Sequence, residues 1–262
     1  MTDTRAVWDR IAGFWDDHLK EGNDFQRLLI MPATDRLLDE SLGDMRGRRV
    51  LDACCGNGNY ARRLASRGAK VTAFDGSGVF IERARQRTPA TLAIGYHVTD
   101  ATDEAALLGL ATGGPFDAIV CSMALMDLSD IGPLLRAGRQ LLAPGGVFVW
   151  SVCHPCFNAT STRMTAELVT ASDGRIAQRF GVATETYLTP REEPSEGILN
   201  QPEPHPMFHR PLGLLLRDCF AAGYVVDALE EPAFPAGTAA RSAFSWAKRP
   251  EIPPALVVRL RA

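Results

Sequence analysis

The stretch that most constrains this chain is RRVLDACCGNGNYARRLA, residues 48–65. An apolar run, Val50 and Leu51, ends in an acid and opens at once into a glycine loop, after which Tyr60 to Leu64 begin a helical pattern. The order is strand, tight turn and helix, with the helix N-terminus facing the loop. Gly56 and Gly58 let the backbone turn and come close to a ligand. Gly56-x-Gly58-x-x-Ala61 also fits the dinucleotide fingerprint, so the loop alone leaves the ligand class open. Asp52 decides between the classes. A carboxylate just before the loop repels a pyrophosphate, which binds bare amides and the positive end of a helix. A cationic ligand without phosphates gains from the same charge.

S-adenosylmethionine, with a sulfonium and an ammonium, is such a ligand. The run Asp52-x-Cys54-x-Gly56-x-Gly58 resembles the first motif of class I S-adenosylmethionine-dependent methyltransferases, acid-x-Gly-x-Gly-x-Gly. Cys54 stands in for the first glycine, a small-for-small change that fits unless the position needs a positive φ. By that resemblance Asp52, Ala53, Cys54, Gly56 and Gly58 line the cofactor. Next, KVTAFD reads as a second strand ending in Asp75, about twenty residues past the loop, where nucleoside-binding α/β folds hold a ribose diol. Asp75 and Gly76 are expected at the ribose; the competing use of Asp75 is a strand-end acid capping the next helix at Ser77. A third strand near Ile94 to Thr99 leads to Asp100 and Ala101, which the resemblance places at the adenine amine and ring nitrogen. Asp100 could equally cap the segment from Asp103 to Leu110.

The fourth strand, Ala118 to Cys121, and its loop resemble the family's fourth motif, which passes the sulfonium and borders the substrate. Cys121, Ser122, Met123 and Met126 are candidates for lining the cofactor and Asp127 for reaching the substrate, against plain core packing of the methionines. LLAPGG before GVFVWSV, a helix stop, a turn and a fifth strand, adds to the resemblance. That strand runs into Cys153-His154-Pro155-Cys156. A metal or redox site is disfavoured because no second Cys/His pair accompanies it. His154 is either a fixed strand-end histidine or, at the ligand-bearing end of a parallel strand, a general base.

Before the core, Thr4 to Lys20 sets Val7, Trp8, Ile11, Phe14 and Trp15 at helical spacing. The aromatic face either packs on the domain or, as the resemblance implies, closes over the cofactor with Trp15 near the sulfonium. After the fifth strand, residues 158–208 break the alternating pattern. Asp173-Gly174 suggests a hairpin, and a Pro- and Glu-dense run follows. An excursion of this length is a lid or a floppy surface loop; as a lid it brings Tyr187, His205, Met207, Phe208 and His209 to the substrate.

The expected fold is α/β, a doubly wound, seven-stranded, mostly parallel Rossmann-like sheet. Residues 1–45 form an N-terminal helical cap, 46–154 with 209–262 the core, and 155–208 the insertion. With 262 residues, net charge −3 and short basic clusters, nucleic acid is a poor partner. No run reaches membrane-spanning length and the polar N-terminus lacks a signal-type apolar core, so a soluble, cytoplasmic protein with free thiols is expected. The resulting expectation is methyl transfer to O, N or C of a small molecule. An idle S-adenosylmethionine-binding module and a nicotinamide oxidoreductase are the rivals, and oligomeric state is left open.

Overall fold

The computed structural model describes residues 4–240 and 242–262; residues 1–3 of the expected N-terminal cap, and Arg241, lie outside the described residues. The sheet begins with β1 (Arg49–Ala53), β2 (Lys70–Asp75), β3 (Ile94–Val98), β4 (Phe116–Ser122) and β5 (Leu142–Cys153). These pair in parallel in the order β5-β4-β1-β2-β3. The C-terminal strand β11 (Ala255–Arg261) lies antiparallel between β5 and β10 (Val225–Glu230), completing seven strands.

Alternation along each strand feeds two cores. Leu51, Phe74, Ile119, Phe148 and Trp150 point to one face, under α5 (Glu104–Leu108), α6 (Gly132–Leu141) and α7 (Leu212–Ala221). Val50, Val71, Val120, Val149 and Val257 point to the other, under α2 (Met31–Leu42) and α3 (Asn59–Ser66). A single-residue slip of β1 would exchange Val50 for Leu51 and expose one core to the other's helices, so the register is held from both sides. Each large side chain fully buried here contributes about 1.5–3 kcal/mol.

Two details differ from the sequence reading. The helix before β5 stops at Leu141, and Leu142 to Gly146 already run extended as the start of β5, with a register irregularity opposite Phe116 and Ala118. The excursion after β5 is two hairpins. The first pairs β6 (Thr162–Thr170) with β7 (Ile176–Thr184) and turns at Asp173-Gly174, as the turn residues predict. The second pairs β8 (Arg191–Ser195) with β9 (His205–His209), inside the proline-dense run. Prolines hid it: Pro194 faces Pro206 across the ladder, where neither can donate, which an isolated two-stranded ribbon tolerates and a central strand does not. Arg249 fastens the first hairpin to the C-terminal link, donating to the carbonyls of Thr165, Gly181, Ala243 and Ser245 at 2.8–3.0 Å.

The N-terminal helix α1 (Thr4–Leu19) lies against α4 (Gly78–Arg87) and the loop that follows β1. Its anchor is Asp16, fully buried, which accepts from Asn57 Nδ2 at 3.0 Å and from the Arg87 guanidinium, with Arg83 at 3.6 Å. Burial pushes the Asp16 carboxyl up, but the hydrogen bonds from Arg87 and Asn57 outweigh it and the net shift is downward. The stabilisation is therefore complete above the ordinary carboxylate value of about 3.9 and fades as pH falls through the lower folded value. Asp16→Ala should cost about 1–3 kcal/mol by stranding the Asn57 amide and the Arg87 guanidinium. Hydrogen exchange checks it: protection across Thr4–Leu19 should drop more than in β4 and β5, and unchanged protection would mean that α1 is held by its apolar face alone.

Candidate functional site

The carboxyl ends of β1, β2 and β3 each deliver an acid to one side of the sheet. Asp52, the fourth residue of β1, is about 1 % exposed; its Oδ2 has no hydrogen-bond partner, and burial first, then the charge of Asp75, push its pKa up to about 8. Asp75 ends β2 and accepts from Gly56 N at 2.8 Å and Ser77 N at 2.9 Å, bridging the glycine loop to the turn that starts α4. Burial pushes it up to about 6, against those backbone donors. Asp100, past the end of β3, accepts from Thr102 N and Oγ1 at 2.8 and 2.7 Å and faces Arg5 of α1 at 3.5 Å. The cap of α5 is Asp103, not Asp100, and the cap of α4 is Ser77 itself, so neither acid is used up as a helix cap.

The glycine loop has the geometry its spacing predicts. Gly58 has φ +74°, and a Cβ there would sit 2.5 Å from the Tyr96 hydroxyl, so no larger residue fits. A Cβ on Gly56 would meet nothing within 4 Å, which leaves open space above the loop. Cys54 is the correction: it has φ +55°, the left-handed conformation in which the small-for-small replacement is no longer free. Met123, after β4, shares that conformation at φ +57°, so two non-glycine residues at the ends of neighbouring strands hold a backbone strained by about 1–3 kcal/mol each. Cys121 is fully buried, with its thiol facing that of Cys54.

Two segments cover this edge. Along α1, Arg5 reaches Asp100, Asp9 accepts from Ser77 Oγ and Val79 N, and Asp16 reaches Asn57, so one helix touches all three loops. The second hairpin meets α1 through Glu203, paired with both Arg10 nitrogens at 2.7 Å, and through His205, whose ring lies 4.6 Å from that of Trp8 and 5.9 Å from that of Trp15. Trp15 points to this hairpin and spends its indole N–H on Gln201 at 2.9 Å, in place of the expected position over a sulfonium. Between the β4 loop and β9 is a narrow cleft of about 30 Å³ lined by Leu125, Met126, Val152, Met207, Phe208 and Leu215. Arg210 closes one end, donating to the carbonyls of Leu125, Leu128 and Ser129.

Several expected roles move. His154 is buried, with Nδ1 accepting from Cys156 N at 3.1 Å and Nε2 at 2.8 Å from Glu231 Oε1. Both nitrogens are occupied on the β11 side of β5, so the ring has no lone pair to offer as a general base. Burial pushes its pKa down against the pull of Glu231, keeping it neutral. Tyr187 and His209 are also committed: His209 Nε2 donates to the Tyr187 carbonyl at 2.7 Å, and the Tyr187 hydroxyl accepts from Leu212 N at 2.8 Å, tying the insertion to α7. Phe208 and Met126 line the cleft. Asp127 is partly buried, its Oδ1 shielded, without a hydrogen-bond partner among the described residues and 3.6 Å from His205 Nε2; burial first, then the charge of Asp75, hold its carboxyl well above the usual range. Gln201 and Arg210 carried no signal in the sequence, because their roles come from which carbonyls and rings the fold sets beside them.

Residues 50–146 match the family described as a methyltransferase domain. A solved S-adenosylmethionine-dependent methyltransferase from Mesorhizobium loti is 27 % identical, with TM-score 0.62 over 88 % of this chain and 96 % of that one. The chain carries a methyltransferase domain and shares the fold of S-adenosylmethionine-dependent methyltransferases. A second such structure, from Listeria monocytogenes, has the same fold at 21 % identity and TM-score 0.62. Curated relatives named ubiquinone biosynthesis O-methyltransferase are 36 % identical over 104 residues in Xanthomonas oryzae pv. oryzae and 33 % over 151 residues in Alkalilimnicola ehrlichii. The matches span 42 % and 58 % of those relatives' lengths. In this domain the first-motif cysteine makes a direct test. Cys54→Gly should leave stability unchanged or raise it, whereas Cys54→Val, β-branched at a positive φ, should cost about 1–3 kcal/mol in chemical denaturation. Equal stabilities for the two variants would show that φ at this position carries no strain.

Proposed function

We propose that the chain transfers methyl from S-adenosylmethionine to a small organic acceptor held in the cleft between the β4 loop and the second hairpin. The observation that carries this reading is the unpartnered, buried Oδ2 of Asp52 beside an open glycine loop, with Asp75 and Asp100 on the neighbouring strands. That donor set fits a ligand with a cationic amino-acid end, a ribose diol and a base amine. Asp52 and the amides of the glycine loop would hold the amino-acid end, Asp75 the ribose and Asp100 with Ala101 the adenine. The cofactor, when bound, supplies an electrophilic methyl on a positive sulfur. The protein's part is to align acceptor and methyl, an orientation effect that can supply about 7–11 kcal/mol.

An oxidoreductase reading is disfavoured because Asp52 would face a pyrophosphate, and an idle binding module leaves the unpartnered Asp127 without a purpose. Residues 155–208 act as the lid and α1 as the cap. The cleft as it stands admits about one water, so the acceptor enters when the hairpin lifts. The free cysteines and interspersed charge favour a cytoplasmic site and a small-molecule partner over nucleic acid or membrane; among the described residues no helix is long and apolar enough to cross a membrane.

Asp75→Ala should weaken S-adenosylhomocysteine by about 2–4 kcal/mol in calorimetry, through lost hydrogen bonds to the ribose and a loosened glycine loop. Affinity within a factor of three of wild type would remove Asp75 from the site. The pH dependence has a defined sign. Asp52 is protonated below about 8 in the free protein, and a cationic ligand favours its ionised form. S-adenosylmethionine affinity should therefore rise as pH approaches 8 and level off above it, and Asp52→Asn should bind more weakly with that slope removed. A wild-type affinity flat between pH 6 and about 8 would refute the charge argument.

A further inference from the structure

Gln201, His205 and Asp127 form a chain whose directions follow from donor and acceptor chemistry. Trp15 Nε1 has only a proton to give, so the Gln201 atom it meets at 2.9 Å is the amide oxygen. The other amide atom is the NH2 group, which donates to the Glu203 carbonyl at 2.6 Å and faces His205 Nδ1 at 3.1 Å. Nδ1 accepts, so the ring proton sits on Nε2. That N–H faces the buried Asp127 Oδ1 at 3.6 Å, just beyond hydrogen-bond reach. The groups facing Asp127 are His205 from β9, Asp75 from β2 and Cys153 at the end of β5. Those facing His205 are Asp127, Gln201 and the rings of Trp8 and Trp15 on α1.

We propose that Gln201 and His205 are positioning residues that, as the His205 Nε2–H closes on Oδ1, favour the carboxylate form of Asp127 that takes the proton of a hydroxyl or amine acceptor, with Trp15 of the N-terminal helix helping to set their direction. The inference rests on the methyl-transfer reading. As the acceptor's oxygen or nitrogen bonds to the methyl carbon, the carbon–sulfur pair leaves with sulfur, and the acceptor's proton passes to Asp127. Charge is conserved: a sulfonium and a carboxylate become a thioether and a carboxylic acid.

The need for support is electrostatic. A carboxyl buried near Asp75 favours its protonated form, and a protonated acid cannot serve as the base. A neutral N–H donor closing on Oδ1 stabilises the ionised form without adding a charge that must itself be buried. Burial pushes His205 down to about 4, so the ring remains such a donor at every pH above that. Because the chain of bonds begins on α1, the helix that crosses the cofactor edge also completes the base. Docking of α1 and readiness for proton transfer are then a single event.

The full chain tests this by carboxyl-carbon NMR titration of Asp127 and ring-nitrogen NMR of His205, alone and with S-adenosylhomocysteine. Wild type should show the ring proton on Nε2. His205→Leu should raise the Asp127 midpoint by about one pH unit, a tenfold loss of the ionised form, and His205→Gln, whose amide nitrogen reaches toward the Nε2 position, should restore it. Trp15→Phe keeps an aromatic ring but removes one of the two bonds that orient Gln201, the other being to the Glu203 carbonyl, so it should raise the fraction of the Nδ1-protonated tautomer even where the His205 variants fold poorly. A wild-type proton on Nδ1, a single tautomer kept in Trp15→Phe, or an Asp127 midpoint that moves less than about 0.3 unit between His205→Leu and wild type would overturn the proposal. Failure of wild type to bind S-adenosylhomocysteine in calorimetry would sink the methyl-transfer reading on its own. Binding with an unmoved Asp127 would sink only this inference.

Discussion

Burial of carboxyl groups, with their mutual repulsion adding to it, governs the carboxyl edge of this sheet. Asp52 and Asp127 both feel Asp75, and each is pushed toward its neutral form. Such crowding costs stability in the free protein, and the fold tolerates it because backbone amides of Gly56 and Ser77 hold Asp75 in place. A cation bound at this edge relieves part of the repulsion. The same charges that burden the empty protein thus become the source of affinity, and the covering helix, with Arg5 at Asp100, supplies some of the compensation meanwhile.

The core was legible because its signals are local. Period-two alternation with buried residues on both faces gives parallel strands, and an acid followed by Gly56-x-Gly58 gives the first turn; both depend on a few adjacent residues. The order of the outer strands, with β11 between β5 and β10, rests on pairings distant in sequence that no local pattern marks. The hairpin at Asp173-Gly174 announced itself by its turn. The hairpin of β8 and β9 did not, since its facing prolines read as loop and its partner strands are separated by a long connection.

At the candidate site, the placement of the acids at the strand ends was legible and the surroundings of the cleft were not. His154 illustrates the reason. Its place at the end of a parallel strand is real, but whether a strand-end histidine offers a lone pair depends on Glu231 and the Cys156 amide, one of them far away in the chain. Cys54 is the opposite case: its place in the glycine loop was legible, but its backbone conformation was invisible until the φ of +55° was known. Asp127 and His205 were each picked out singly, yet only the fold sets them 3.6 Å apart, with the ring oriented by a glutamine that no pattern marks.

Arg249 and Arg210 hold the insertion in place by a different kind of bond from those at the carboxyl edge. Their guanidinium groups rest on peptide carbonyls, acceptors that do not ionise, and the guanidinium itself keeps its charge throughout the physiological range. The scaffold around the cleft is therefore indifferent to acidity, while the carboxyl groups it surrounds are acutely sensitive. A change of pH acts on this molecule as a chemical event inside a mechanically constant frame.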